Sequence, residues 1–336
     1  MILGNARVSA AEPDPVSAIL ALVEPGLARL ELSLASLAAS DDSVLAPMLS
    51  TVLPGAGKRL RPALALLIGR IAGAADGEAL THMAVGVELL HTASLVHDDI
   101  VDESDTRRGG ATLYARVGNA LAVLVGDYLF SQAAQQCVAT GNLEVVRLFA
   151  QTLGAMAQGQ IDDANGQLVG RRLWETLTRE RYYRTISGKT ASLFVLACQG
   201  TGLLVGLRPE EIDALRVFGD NLGLAFQVYD DILDFTATEE QLGKPVGNDL
   251  RQGTITLPVI LMRDDGLADG RFRAAFEAED TELQVRLVQE SGAIDAAQAE
   301  AEDLVARARA ALTALPAGVE RDALDALARY VTARRQ

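Results

Sequence analysis

Val96-His97-Asp98-Asp99-Ile100-Val101-Asp102 ends a long apolar run, and the same pattern returns as Val228-Tyr229-Asp230-Asp231-Ile232-Leu233-Asp234. Apolar residues around both copies recur at helical spacing, so each stretch reads as helix. On a helix Asp98 and Asp102 lie one turn apart on one face, and Asp230 and Asp234 do the same. Like charges at that spacing repel, and they interrupt otherwise apolar helices, so the arrangement costs stability unless a cation sits between them. Magnesium suits this demand. It takes one or two carboxylates and completes its shell with water and phosphate oxygens, whereas calcium wants a fuller oxygen cage. Two such faces imply several ions around one diphosphate.

Working outward, the chain has 336 residues, 49% hydrophobic but only 4% aromatic, so its core is built mainly from Ala, Leu and Val. Ala and Leu are strong helix formers. All ten prolines lie at or before Pro62 or at or after Pro209, leaving the centre free of helix breakers. Helices are expected at about 15–38, 60–75, 78–103, 116–140, 142–163, 175–187, 189–205, 209–237, 254–263, 293–314 and 319–333. The expected fold class is all-α, a single large helical bundle around a central cavity. No low-complexity linker divides the chain, so residues 1–336 read as one domain. Thr236 to Gly253 is the longest irregular stretch and suggests a mobile flap over a site as readily as a plain connection.

A net charge of −15 disfavours nucleic acid and anionic membrane surfaces as main partners. Cys137 and Cys198 sit in apolar helical patterns without metal-ligand spacing and read as buried thiols in a reducing compartment. No basic stretch followed by an apolar leader opens the sequence, and no window approaches eighteen uninterrupted apolar residues. A cytoplasmic protein without stable membrane insertion is expected.

Of thirty basic residues only Lys58, Lys189 and Lys244 are lysines, and each directly follows a glycine. A compact ammonium beside a backbone that can approach closely suits phosphate oxygens. Lys58-Arg59-Leu60-Arg61-Pro62 opens a helix, where free N–H groups and the dipole favour an anion, and Arg107-Arg108 lies just beyond the first carboxylate motif. Two cationic clusters suggest two anionic groups. Ser187-Gly188-Lys189-Thr190 ends like a P-loop, but Tyr183 stands where the earlier glycine is required, which argues against a nucleotide site. His91 reads as a donor to phosphate, and His82 and His97 as structural. Asp162-Asp163 has Gly166 where a third carboxylate would be needed and reads as surface.

These motifs resemble the trans-isoprenyl diphosphate synthase family, from about Leu53 to Ile260. The likeness is carried by Gly57-Lys58-Arg59-Leu60-Arg61-Pro62, by His91 to Asp99, by Asp102 to Gly109, by Gly188-Lys189-Thr190, by Phe226 to Asp231 and by Gly243-Lys244-Pro245. The resemblance implies an isoprenoid-synthase-type bundle with the two aspartate motifs facing each other across a cavity. It implies magnesium ions, three with diphosphate bound, held by Asp98, Asp102 and Asp230 with Asp99, Asp231 and Asp234. Arg107, Lys189 and Lys244 would bind an allylic diphosphate such as farnesyl diphosphate. Lys58, Arg61, His91 and Arg108 would bind isopentenyl diphosphate. Lys189 through its carbonyl, Thr190 and Gln227 would face the allylic cation. A homodimer is the family expectation. Small residues Ala93 and Ser94, with Leu90 and Val87 on further turns, resemble long-chain enzymes that make octaprenyl to decaprenyl quinone side chains, with a geranylgeranyl or other short-chain enzyme as the alternative.

Three rivals remain. A metal phosphohydrolase suggested by His97-Asp98 needs more histidines than three. A non-catalytic regulatory subunit would keep the fold and lose the ligands, yet both motifs and all three lysines are intact. A terpene cyclase would leave the Lys58, Arg61, His91 and Arg108 set unexplained.

Overall fold

The computed structural model describes residues 15–39, 41–53, 57–74, 77–107, 109–169, 177–238, 246–266 and 270–333. Helix α1 (Pro15–Ala21) and α2 (Glu24–Ala38) precede α3 (Leu45–Val52), α4 (Leu60–Ile71) and the long α5 (Glu78–Val101). A short hairpin, β1 (Thr106–Arg107) and β2 (Gly110–Ala111), pairs antiparallel with Thr106 opposite Ala111. Then come α6 (Leu113–Val117), α7 (Asn119–Ala139) and α8 (Leu143–Val169). Helices α9 (Arg179–Ile186), α10 (Ser192–Val195) and α11 (Thr201–Leu204) are joined by two π-turns, Ser187–Ala191 and Leu196–Gly200. The chain continues with α12 (Pro209–Thr236), α13 (Asn248–Arg251), α14 (Leu257–Asp264), α15 (Gly270–Glu277), α16 (Thr281–Glu290), α17 (Ala293–Ala311) and α18 (Val319–Ala333).

Prolines sit where helices tolerate them. Pro25, Pro62, Pro209 and Pro258 all lie in first turns, where the missing N–H has no partner to lose. Helix α5 packs between α4 and α7, and α12 packs against α17 and the π-turn segment. The α17 face is a stripe of fully buried alanines, Ala293, Ala297, Ala301 and Ala308, which lets that helix approach α12 closely. One core cluster runs from Ile19 to Val331. Helix α5 is long and apolar enough to cross a membrane, but 67% of that window is buried inside the molecule, as befits a core helix.

The all-α expectation holds, with corrections. Residues 15–38 form two helices, and 175–187 with 189–205 form one run through the π-turns. Helices α3, α15 and α16 were not expected, because runs of eight to ten residues are too short to show a period. The hairpin falls where a plain loop is read, and α13 folds part of the stretch expected to be irregular.

Candidate active site

Both aspartate motifs sit near the C-terminal ends of their helices, Asp98 and Asp99 on α5 and Asp230, Asp231 and Asp234 on α12, with Asp102 capping α5. That is the negative end of the helix dipole, so the carboxylates bear a further electrostatic cost beyond mutual repulsion. Burial pushes the Asp98 carboxyl up to about 6, with Asp102 and Asp163 adding to the rise and Lys189 and Arg107 opposing it.

A cavity of about 970 Å³ opens beside them. Its wall includes Asp98, Asp99, Asp230, Lys58, Arg61, His91, Arg107, Lys189, Thr190 and Gln227. A smaller adjoining pocket of about 160 Å³ is lined by Asp102, Asp162, Asp163, Asp231, Asp249 and Lys189. Lys189 therefore stands between the two.

The six aspartates divide by what holds them. Arg107 Nε donates to Asp99 Oδ1 at 2.7 Å. Tyr182 OH and Gln227 Nε2 donate to the two oxygens of Asp231 at 2.6 and 2.9 Å. The Asp249 backbone N–H donates to Asp234 Oδ2 at 3.1 Å, tying α13 to α12. Asp99, Asp231 and Asp234 thus carry internal bonds in addition to any part they take in holding a metal. The buried Asp102 Oδ1 has no hydrogen-bond partner among the described residues, which fits an atom that waits for a cation. Among those residues no three acidic, histidine or cysteine side chains converge into a cage.

Asp162-Asp163 is the main correction. Asp163 is no surface residue: its carboxylate takes Lys189 Nζ at 2.6 Å inside the site. Burial alone would lower the Lys189 ammonium's pKa, but Asp163 and Asp98 beside it raise it and keep it charged. The contact rests on two glycines. A Cβ at Gly159 would lie 2.4 Å from the Lys189 backbone nitrogen, and one at Gly188 would lie 2.7 Å from the Ala155 carbonyl oxygen. Gly188 thus admits α8, not an anion as its position before a lysine suggests. On α12, a Cβ at Gly223 would lie 2.5 Å from Ala191 Cα. That close approach brings Gln227, one turn on, to Thr190, whose hydroxyl donates to Gln227 Oε1 at 2.8 Å.

At the far end of the cavity Arg59 adopts a left-handed φ of +47° and turns inward. It donates to Glu31 and Glu88 at 2.8 and 2.5 Å, joining α2 to α5. Its neighbours are left facing the cavity. Lys58 Nζ reaches Tyr330 OH at 2.5 Å, and Arg61 Nη1 meets His91 Nε2 at 3.2 Å with its guanidinium over the Phe194 ring. His97 and His82 bond Val123 O and Gln136 Oε1 between α5 and α7, consistent with structural roles. Of the product-length residues, Ser94 lines the cavity, whereas Ala93, Leu90 and Val87 are fully buried in helix packing and do not. Arg108 and Lys244 lie outside the described residues.

Asp249, Tyr182 and Tyr330 are site-side residues that the sequence reading passes over. Asp249 sits between glycines in Gly247-Asn248-Asp249-Leu250-Arg251-Gln252-Gly253, a usable signal. Gln160, one turn before Asp163, has both amide atoms buried without a partner among the described residues.

A helical bundle that brings two D-D-x-x-D helices to one cation-lined cavity defines a protein of the isoprenoid synthase type. Residues 42–289 match the pattern of the polyprenyl synthetase family. The chain is 39% identical over 289 residues to octaprenyl diphosphate synthase of Escherichia coli (strain K12), covering 84% of this chain and 88% of that one. It superposes on a crystal structure of a decaprenyl diphosphate synthase from Rhodobacter capsulatus with TM-score 0.87 at 33% identity, covering 96% of this chain and 100% of that one. It superposes likewise on a polyprenyl synthase from Caulobacter crescentus, complexed with calcium and isoprenyl diphosphate, with TM-score 0.88 at 34% identity, covering 97% and 100%. The chain belongs to the polyprenyl synthetase family and is a prenyl-transferring enzyme.

Proposed function

We propose that this protein condenses isopentenyl diphosphate head to tail onto an allylic diphosphate such as farnesyl diphosphate, building a long all-trans polyprenyl diphosphate for a quinone side chain. The observation that carries the reading is the cavity of about 970 Å³, where two basic clusters flank the acidic motifs and offer places for two diphosphates at once. Long-chain synthases among the relatives support the product class.

In this reading Asp98, Asp102 and Asp230 would hold magnesium ions, three when diphosphate is bound, and those ions would supply charge neutralisation for the departing pyrophosphate. Arg107, Lys189 and Lys244 hold the allylic diphosphate, and Lys58, Arg61, His91 and Arg108 hold that of isopentenyl diphosphate. The allylic C–O bond breaks with its electrons going to pyrophosphate. The isopentenyl double bond then attacks the allylic carbon, and a proton leaves to restore a double bond, with the pyrophosphate as acceptor. Thr190 and Gln227 turn oxygen lone pairs toward the cation, and the walls keep out the water that would quench it.

One domain is proposed, in keeping with the shared core. A homodimer through α7 and α8 is supported by Leu121, Val123, Leu124, Val138, Leu143 and Ile161, which make up six of the ten exposed large hydrophobics among the described residues. A cytoplasmic location accompanies this reading.

The test is incubation with farnesyl diphosphate, labelled isopentenyl diphosphate and magnesium, then chain-length analysis of the dephosphorylated products. A ladder ending at eight to ten isoprene units is expected, abolished by EDTA and by Asp98→Ala. No incorporation from any allylic primer would overturn the reading in favour of a non-catalytic subunit.

A further inference from the structure

Four side chains form one continuous chain of hydrogen bonds across α9, the first π-turn and α12. Thr190 Oγ1 donates to Gln227 Oε1 at 2.8 Å, Gln227 Nε2 donates to Asp231 Oδ1 at 2.9 Å, and Tyr182 OH meets Asp231 Oδ2 at 2.6 Å. Thr190 and Gln227 stand on the wall of the large cavity, while Asp231 and Tyr182, both buried, line the smaller pocket beside it.

The chain has a direction, and the carboxylate sets it. An amide side chain can turn either end toward a neighbour, and nothing in Gln227 itself selects one. Asp231 Oδ1 can only accept, whether or not Oδ2 carries a proton, so it draws the amide nitrogen of Gln227 toward itself. The amide oxygen then faces Thr190 and takes the single proton of that hydroxyl. What remains for the cavity is lone pairs: those of Thr190 Oγ1 and the second lone pair of Gln227 Oε1.

We infer that Asp231, clamped by Tyr182, is a positioning residue that fixes the amide of Gln227 and the hydroxyl of Thr190 so that only oxygen lone pairs meet the allylic cation. This inference rests on the prenyl-transfer reading above. It gives the second aspartate of the motif a task distinct from metal binding. Replacing Asp231 by asparagine leaves one acceptor for two donors; with Tyr182 OH keeping the carbonyl oxygen, an N–H₂ faces Gln227 in place of Oδ1. Gln227 can then turn its oxygen inward, its nitrogen faces Thr190, and the Thr190 proton is released toward the cavity, so the polarity reverses without loss of volume.

The experiment compares two probes on the full-length protein with magnesium. One is an allylic diphosphate analogue with sulfur in place of the bridging oxygen, which is neutral at the reacting carbon. The other is an ammonium analogue bound with pyrophosphate, which carries positive charge where the cation develops. For Asp231→Asn we expect about a 100-fold loss of affinity for the ammonium analogue and a matching fall in kcat, the scale of losing a preorganised dipole at a reacting centre. Affinity for the sulfur analogue, KM for both substrates and the magnesium concentration at half-maximal rate should stay within about twofold, because the binding groups are untouched. Tyr182→Phe should show the same pattern at about a tenth of the size, the carboxylate being loosened rather than replaced.

Equal weakening of both analogues, or a raised magnesium requirement, would overturn the inference and return Asp231 to metal binding or to a purely structural part. An unchanged preference for the ammonium analogue in both variants would overturn it as well. Failure of the wild-type protein to bind the sulfur analogue or to turn over would instead strike the prenyl-transfer reading.

Discussion

Asp98 shows what a single residue gives up for its task. Its pKa, raised to about 6 by burial, means that the folded protein holds this proton more tightly than the unfolded chain does. Between the ordinary carboxylate value of 3.8 and about 6, the folded state therefore binds more protons and stability falls as pH rises, levelling off above 6. The difference amounts to about 3 kcal/mol at neutral pH. In EDTA the protein should melt at a higher temperature at pH 5 than at pH 7. Asp98→Asn should shrink that difference and raise the pH 7 melting temperature by on the order of 5 °C, while abolishing product formation. Calorimetry across pH checks the first part, and a variant less stable than wild type at pH 7 would refute it. The acidic motif was legible at this scale because helical spacing alone puts Asp98 and Asp102 on one face. Asp163 was not, because the lysine that gives it meaning lies 26 positions away and reaches it only through tertiary packing.

Between elements, the site depends on how closely three helices approach. Gly159 lets α8 touch the backbone of the first π-turn, and the atom a side chain would strike is the Lys189 backbone nitrogen, which no rotamer change can move. Gly159→Ala should cost about 1–3 kcal/mol of stability and lower kcat. Gly154→Ala, on the same helix with nothing within 4 Å of the added carbon, should instead stabilise by up to about 1 kcal/mol. Denaturant titration of the pair separates close packing from helix propensity, and equal effects would refute the argument. The π-turns also explain where pattern reading broke down. Each inserts an extra residue into a turn, so the 3.6-residue period slips at Ser187–Ala191 and one helical run looks like two. The same slip turns Lys189 and Thr190 toward the cavity wall, so the feature that obscured the element is the one that builds the site. Helices α3, α15 and α16 were hidden for a plainer reason, their length.

For the molecule as a whole, product length depends on where the cavity can still grow. Ser94 stands on its wall, and Ala93 lies one position away yet fully buried, so two neighbouring substitutions should behave differently. Ser94→Phe should leave the protein stable and shorten the product ladder by about one or two isoprene units, each roughly 4–5 Å long. Ala93→Phe should lose about 1–3 kcal/mol by overpacking. Chromatography of the polyprenols together with melting curves tests both, and an unchanged ladder for Ser94→Phe would place the limit elsewhere. The small size of Ala93 and Ser94 was readable in the sequence, but which of them faces the void was not, because a helix can turn the same residues toward a neighbour or toward open space.

On the proposed function, the pairing of Lys189 with Asp163 would also filter which anions enter. Free orthophosphate or sulfate arriving at the smaller pocket would meet Asp102, Asp162, Asp163, Asp231 and Asp249 on its wall and a Lys189 ammonium already paired. A metal chelate would bring its own positive charge to the aspartates and leave Lys189 for the phosphate oxygens. The empty enzyme would then be shielded from simple inorganic anions and would take up a diphosphate only together with the metal ions that help it depart.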